Sequence, residues 1–367
     1  METMGLSQGE DAQAAPAAAG AKKPAGGGGG RGGGGGGAKR QGGGGGGGGR
    51  GGGGRGGGAQ KQGTRAVEIA DEEFDEIAGG IRADVRMFSG CEDAQTSADV
   101  HDVAKFGLPD ATGAGGACTN AVLANVKDST PDSWMSLLKG MRNTLKEKKF
   151  KQIPQLATSK KLDIQSPFTL SGGEGGTHKA LLIGINYIGC GAGELKGCHN
   201  DVEQMKEYIT THGYPPEGPN TKILVDDGTH EAPTKANILK AFKWLIQGAK
   251  AGDSLFMHYS GHGGSVKDNT GDEEDMKDET MIPADYMKSG QIKDDEILET
   301  LVMPLPQGVV LTVIMDCCHS GSILDLPYAF DAVDGALEAI ESGAKPGTIC
   351  KKKNFNVKKM KKAQGKH

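Results

Sequence analysis

No apolar run in this 367-residue chain approaches the roughly 20 residues that a membrane-spanning helix needs. The first residues, Met1-Glu2-Thr3-Met4, lack a basic segment followed by an apolar one, so no secretory leader is expected. The seven cysteines, at 91, 118, 190, 198, 317, 318 and 350, form no Cys-x-x-Cys pair. An odd count without a leader favours reduced thiols and a soluble, cytoplasmic protein over a disulfide framework. There is no internal repeat. Large apolar side chains are missing from 25–63, which is mostly glycine broken by arginines such as Arg31, Arg50 and Arg55 and a few Lys and Gln. Such a segment cannot bury enough apolar surface to offset its ordering entropy, so residues 1–65 read as a disordered Gly/Arg-rich arm. Acids are missing from 351–367, which holds eight Lys. The net charge of -5 therefore hides a more acidic middle, most acidic around 268–278 and 294–299.

What remains, from about 66 to 347, suits one large α/β domain. A strand is expected at 85–89, followed by a polar loop and an apolar element at 119–123. Residues 131–149 read as a helix with Trp134, Leu137, Leu138, Met141 and Leu145 on one face. Residues 154–162 suggest a returning strand, and 166–177 a Pro/Gly/Ser connection. From there the pattern alternates regularly. Strands are expected at 180–185, 222–225, 255–259 and 309–315. Helices are expected at 201–210, 234–247 (capped by Thr234) and 296–301. Alternation of this kind argues for a mostly parallel sheet covered by helices on both faces.

Two motifs close the last two of these strands. One is His258-Tyr259-Ser260-Gly261-His262-Gly263-Gly264; the other is Met315-Asp316-Cys317-Cys318-His319-Ser320-Gly321-Ser322. Taken alone, His262 would be a structural turn histidine, and Cys317 and Cys318 small buried residues. Together, a thiol and an imidazole at the carboxyl ends of neighbouring strands make a nucleophile and its base. Adjacent residues of a strand face opposite ways, so only one of the two thiols can serve.

These motifs resemble those of the caspase-like cysteine peptidases, and among them the metacaspases. Ala180-Leu181-Leu182-Ile183-Gly184-Ile185-Asn186-Tyr187 resembles the family's first core strand, and Gly197-Cys198-His199-Asn200-Asp201-Val202 the turn after it. The Gln-Ala-Cys of true caspases is absent. Over 179–330 the resemblance implies a caspase-like α/β/α sandwich around a mostly parallel central sheet. It makes Cys318 the nucleophile, His262 the acid/base, and the amides near Gly263 and Cys318 the oxyanion hole. It assigns Asp201 and Asp316, with Ser260 and Cys198, to a pocket for Arg or Lys. A carboxylate pair matches the guanidinium fork and repels an Asp substrate. Asp201 also opens an expected helix, where it could serve as an N-cap.

Acidic loops suit calcium, although no EF-hand run is present. Met281-Ile282-Pro283 and Ile292-Lys293-Asp294-Asp295 resemble the metacaspase segment that binds activating Ca2+, which implies Asp278, Asp294, Asp295 and Asp325 as ligands. Residues 89–100, 116–121 and 134–153 resemble the metacaspase small subunit, here placed before the catalytic region. That order is similar to the type III arrangement. The implied organisation is an arm (1–65), a small-subunit-like region (66–165), a linker (166–178), a catalytic region (179–347) and a basic tail (348–367), with 66–347 as one structural unit. Self-cleavage is expected near Lys160-Lys161 or within 166–177, and the resemblance implies a monomer acting on protein or peptide substrates. The alternatives are a catalytically silent scaffold and a peptidase cutting after Asp. In the scaffold reading the arm, similar to RGG-type segments, binds RNA or protein. The arm lacks aromatic residues, and both tails read more readily as solvated chain.

Overall fold

The computed structural model describes residues 71–90, 99–100, 115–173, 175–267, 277–318, 320–330, 350–352, 360 and 365. The Gly/Arg arm, the acidic stretch 268–276, His319 and most of the basic tail lie outside the described residues.

The elements run α1 (Asp71–Ala78), β1 (Asp84–Ser89), β2 (Asp99–Val100), β3 (Gly115–Gly116), α2 (Ala117–Val126), α3 (Trp134–Glu147), β4 (Gln155–Thr158), β5 (His178–Gly184), α4 (Cys198–Thr210), β6 (Thr221–Val225) and α5 (Lys235–Ile246). They continue with β7 (Ser254–Ser260), β8 (Gly263–Lys267), β9 (Lys277–Met281), α6 (Tyr286–Ser289), β10 (Ile292–Lys293), α7 (Asp294–Ile297), β11 (Val310–Asp316), β12 (Tyr328–Phe330) and β13 (Cys350–Lys352).

Eight strands form the central sheet in the order β13-β12-β4-β1-β11-β7-β5-β6. From β1 to β6 every neighbouring pair is parallel. β4, β12 and β13 extend the sheet antiparallel beyond β1. β7 and β11 are buried along their whole length, as expected of central strands covered on both faces. β1 comes from the region before the catalytic motifs, yet it hydrogen-bonds alongside β11 residue for residue, from Asp84 opposite Val310 to Ser89 opposite Met315.

Helices cover both faces. On one side Phe74 and Ile77 of α1, Ile238, Phe242 and Leu245 of α5, and Leu298, Leu301 and Val302 of the π-turn after α7 pack on Leu181, Met257 and Val313. On the other, Val122 of α2, Trp134, Leu137 and Met141 of α3, and Val202, Met205 and Ile209 of α4 pack on Phe88, Leu182, Phe256 and Ile314. Burying these side chains supplies the main drive for the sandwich. The stripe expected at 131–149 is the buried face of α3, whose start is fixed by a reciprocal cap. Ser136 N–H donates to Ser133 Oγ at 3.1 Å, and Ser133 N–H donates to Ser136 Oγ at 2.9 Å. Thr234 caps α5 by accepting from Asn237 N–H.

Two differences from the sequence reading bear on the site. The apolar element at 119–123 is the centre of a ten-residue helix, α2. α4 starts at Cys198, three residues before the expected start, because Gly197 rather than Asp201 precedes its first turn.

Candidate active site

β5, β7 and β11 end side by side: Gly184 pairs with Ser260, and Ser260 with Asp316. The chain segments that leave these three strand ends form the site. Past β7, Gly261-His262 turns into β8. Past β11 comes Cys317-Cys318. Past β5, Ile185-Asn186-Tyr187 leads to the loop before α4.

His262 is held at its backbone and at its ring. Its N–H donates to the Tyr187 hydroxyl at 2.8 Å, and its carbonyl accepts from the Tyr259 hydroxyl at 2.7 Å. Ring Nε2 lies 2.8 Å from the carbonyl oxygen of Gly193. A carbonyl only accepts, so Nε2 carries the hydrogen and Nδ1 keeps the lone pair a base needs. Cys317 is 1% exposed and belongs to the core, whereas Cys318 is partly exposed. The loops carrying His262 and Cys318 touch through backbone. A Cβ on Gly263 would lie 1.9 Å from the carbonyl oxygen of Cys318 and 3.2 Å from Cys317 Sγ, so only glycine permits this approach. Gly263 and Cys318, expected at the oxyanion site, are thus adjacent.

Asp201, Ser260 and Asp316 converge beneath these loops, and all three are buried. Asp201 Oδ2 accepts from Ser260 Oγ at 2.6 Å and from Gly116 N–H at 2.7 Å. Its Oδ1 lies 3.3 Å from Asn120 Nδ2. Asp316 Oδ2 accepts from Thr119 N–H at 2.6 Å. The N-cap role considered for Asp201 is therefore corrected: its N–H bonds back to Gly197 inside the helix, and its carboxylate turns to the strand ends instead. Cys198 sits in the same first turn of α4, 4% exposed, with its N–H on Asn186 Oδ1.

Residues 116–120 hold these acids, and the sequence reading gave them no role in the site. The signal was the small-residue run Gly115-Gly116-Ala117 at the start of a helix, where amide donors point outward. His258 was also missed. It is fully buried in β7, its Nε2 3.0 Å from Thr119 Oγ1, and burial pushes its pKa down to about 3, which keeps it neutral.

Of the four aspartates expected to bind a cation, the structure gathers three. Carboxylate oxygens of Asp294, Asp295 and Asp325 all lie within 4.8 Å of one another. Asp325 adopts a left-handed backbone with φ 48°. Asp278 does not join this group: its Oδ2 is bound by Lys293 Nζ, whose pKa is raised by that bond. The three-stranded ribbon β8-β9-β10 links the two places, since β8 leaves from His262 and β10 runs into Asp294.

Residues 178–327 match the family model for the metacaspase peptidase C14 domain, and residues 36–163 match that for the caspase domain. A curated relative, "Metacaspase III c" of Phaeodactylum tricornutum, is 49% identical over 290 residues, covering 76% of this chain and 82% of that protein. "Metacaspase-1" of Eremothecium gossypii is 55% identical over 159 residues, and "Metacaspase-1A" of Neurospora crassa 52% over 158. Each of these two matches covers 42% of this chain and only 34% of the fungal protein. A solved protein from Geobacter sulfurreducens aligns at 25% identity with a TM-score of 0.32, over 52% of this chain and 62% of that one, too weak a likeness to carry an argument. Among the described residues no helix is long and apolar enough to cross a membrane. With nearly half of its residues shared across four-fifths of a metacaspase, and with a caspase-like sheet, the chain belongs to the metacaspases and is a cysteine-type peptidase.

Proposed function

We propose that this chain is a calcium-activated endopeptidase that cuts after Arg or Lys with Cys318 as nucleophile and His262 as acid/base. The observation that carries this reading is the convergence of Asp201, Ser260 and Asp316 beneath the His262 and Cys318 loops. A guanidinium or ammonium drawn to the carboxylates of Asp201 and Asp316 brings the next peptide carbonyl to the strand ends above them. The Cys318 thiol gives its proton to His262 Nδ1 and the sulfur attacks the carbonyl carbon. The resulting oxyanion meets backbone N–H groups near Gly263 and Cys318. His262 then returns the proton to the leaving amine. In the second half it takes a proton from water, which attacks the thioester and frees the acid product.

Asp294, Asp295 and Asp325 fit a hard cation: each offers only oxygens, and positive charge relieves their mutual repulsion inside 4.8 Å. Calcium held there would supply that charge and order the start of α7 and the ribbon that leads to His262. Asp278, engaged by Lys293, would serve nearby rather than as a principal ligand.

Further parts of the reading follow. The place of β1 and β4 in the catalytic sheet supports a type III arrangement, with the small-subunit-like region first. β4, β12 and β13 extend the sheet past β1, which supports a monomer. Lys161 is exposed and Lys160 half-buried, with its ammonium bonded to the Ile81 carbonyl, so self-cleavage is expected after Lys161. Cys118, Cys190, Cys198, Cys317 and Cys318 are free thiols, which supports a reducing, cytoplasmic setting.

The test is hydrolysis of fluorogenic peptides ending in Arg, Lys or Asp, with calcium and with chelator. Calcium-dependent cleavage of the first two and none of the third is expected. Cleavage after Asp, or activity indifferent to chelator, would refute the pocket or the switch respectively.

A further inference from the structure

Tyr187 follows β5 and is 2% exposed, with φ at 54°. A bulky residue in the left-handed region is strained, and it persists only where its surroundings over-determine it. Those surroundings are His262. The Tyr187 hydroxyl accepts the His262 N–H at 2.8 Å and donates to the Ile282 carbonyl at 2.7 Å. Its ring centroid is 4.6 Å from that of the imidazole, tilted by 36°. Tyr259 stands beside it, hydroxyl to hydroxyl at 3.3 Å. A Cβ on Gly261 would come within 3.1 Å of the Tyr187 hydroxyl, so the turn carrying His262 is seated against it.

We propose that Tyr187 is a positioning residue for the general base: its hydroxyl fixes the His262 backbone and its ring one face of the imidazole, so that Nδ1 stays aimed at Cys318. This rests on the reading of His262 as the base. The left-handed turn also sends the chain into the loop from which Gly193 reaches Nε2. Phenylalanine could supply the ring but no acceptor for the His262 N–H, which would lose its partner. The Tyr187 hydroxyl bonds to His262, Ile282 and Tyr259 rather than to the pocket acids. Its loss should therefore slow the chemistry and leave substrate binding alone.

The experiment uses the full chain with calcium and compares wild type, Tyr187→Phe and Cys318→Ala. In Tyr187→Phe, kcat for an Arg peptide should fall about 10- to 100-fold while KM stays within about twofold. The pH profile of iodoacetamide alkylation at Cys318, which reports the thiolate poised by the imidazole, should shift to higher pH. A merely structural role would lower the melting temperature and leave both the profile and kcat per folded molecule unchanged; that result overturns the proposal. If Tyr187→Phe fails to fold, Tyr187→Asn, which tolerates the left-handed backbone, gives the same readouts, and wild-type kcat there overturns it equally. Hydrolysis surviving in Cys318→Ala would refute the underlying dyad instead. An inactive Cys318→Ala beside a fully active Tyr187→Phe would refute the positioning role alone.

Discussion

Gly116→Ala should damage the substrate pocket from a position 85 residues before Asp201. A Cβ built on Gly116 lies 2.2 Å from Asp316 Oδ2 and 2.5 Å from its Cγ. Real contacts of that kind need roughly 3 Å or more, so either the carboxylate or the backbone must move by about 1 Å. If the carboxylate moves, Asp316 leaves its bond to Thr119 N–H. If the backbone moves, Asp201 loses the 2.7 Å bond from Gly116 N–H. Either way one acid of the pair is misaimed. A displacement of about 1 Å in a positioning group costs on the order of 100-fold, so kcat/KM for Arg peptides should fall about 10- to 100-fold. That loss corresponds to about 1.4–2.7 kcal/mol. It should appear mostly in KM, because the pocket binds ground and transition states alike. The assay is steady-state hydrolysis of matched Arg and Lys peptides, with the folded fraction checked by thermal melting. Unchanged kinetics in folded Gly116→Ala would refute the argument that α2 holds the pocket acids.

Three further outcomes are expected. His258 is neutral in the folded state with its pKa near 3, and an unfolded histidine titrates near 6.5. Its contribution to stability is thus fully present above about pH 6.5 and is lost as pH falls towards 3, at up to about 1.4 kcal/mol per pH unit; urea titrations of wild type and His258→Gln should show a shallower slope in the variant. Asp294→Ala or Asp325→Ala should raise the calcium needed for half-maximal hydrolysis at least about tenfold, and Asp278→Asn by less, with calcium titration of activity as the measure; equal effects at all three would contradict the three-residue cluster. Lys161→Ala should remove the fragment ending at Lys161 when calcium is added, which N-terminal sequencing of the products would show.

The sequence carried the fold well where periodicity was unambiguous. The apolar runs of β5, β7 and β11 are buried on both faces, and a stripe such as that of α3 leaves few alternatives. It was weaker at helix starts. Asp201 looked like a cap because acidic residues favour first turns, yet Gly197 lets α4 begin earlier and leaves the carboxylate to accept from Ser260 and Gly116. Motif order also pointed to the His262 and Cys318 loops, which the fold brings together. What it could not supply is which distant backbone amides satisfy the buried acids. Gly116 and Thr119 reach Asp201 and Asp316 across 85 and 197 residues, and no local pattern encodes such pairing. The same holds for Tyr187, whose hydroxyl meets His262 only because β5 and β7 are neighbours. Asp278 looked equal to the other acidic residues in the sequence, and only the fold brings Lys293 onto it.

The central claim is that Cys318, and not its neighbour, is the nucleophile served by His262. An Arg-terminated peptidyl acyloxymethyl ketone alkylates an activated thiol seated beside the pocket, and peptide mapping by mass spectrometry locates the bond. A single thioether on Cys318, formed in calcium and suppressed in His262→Ala, is the expected result. Label on the buried Cys317, or labelling of Cys318 undiminished in His262→Ala, would contradict the account.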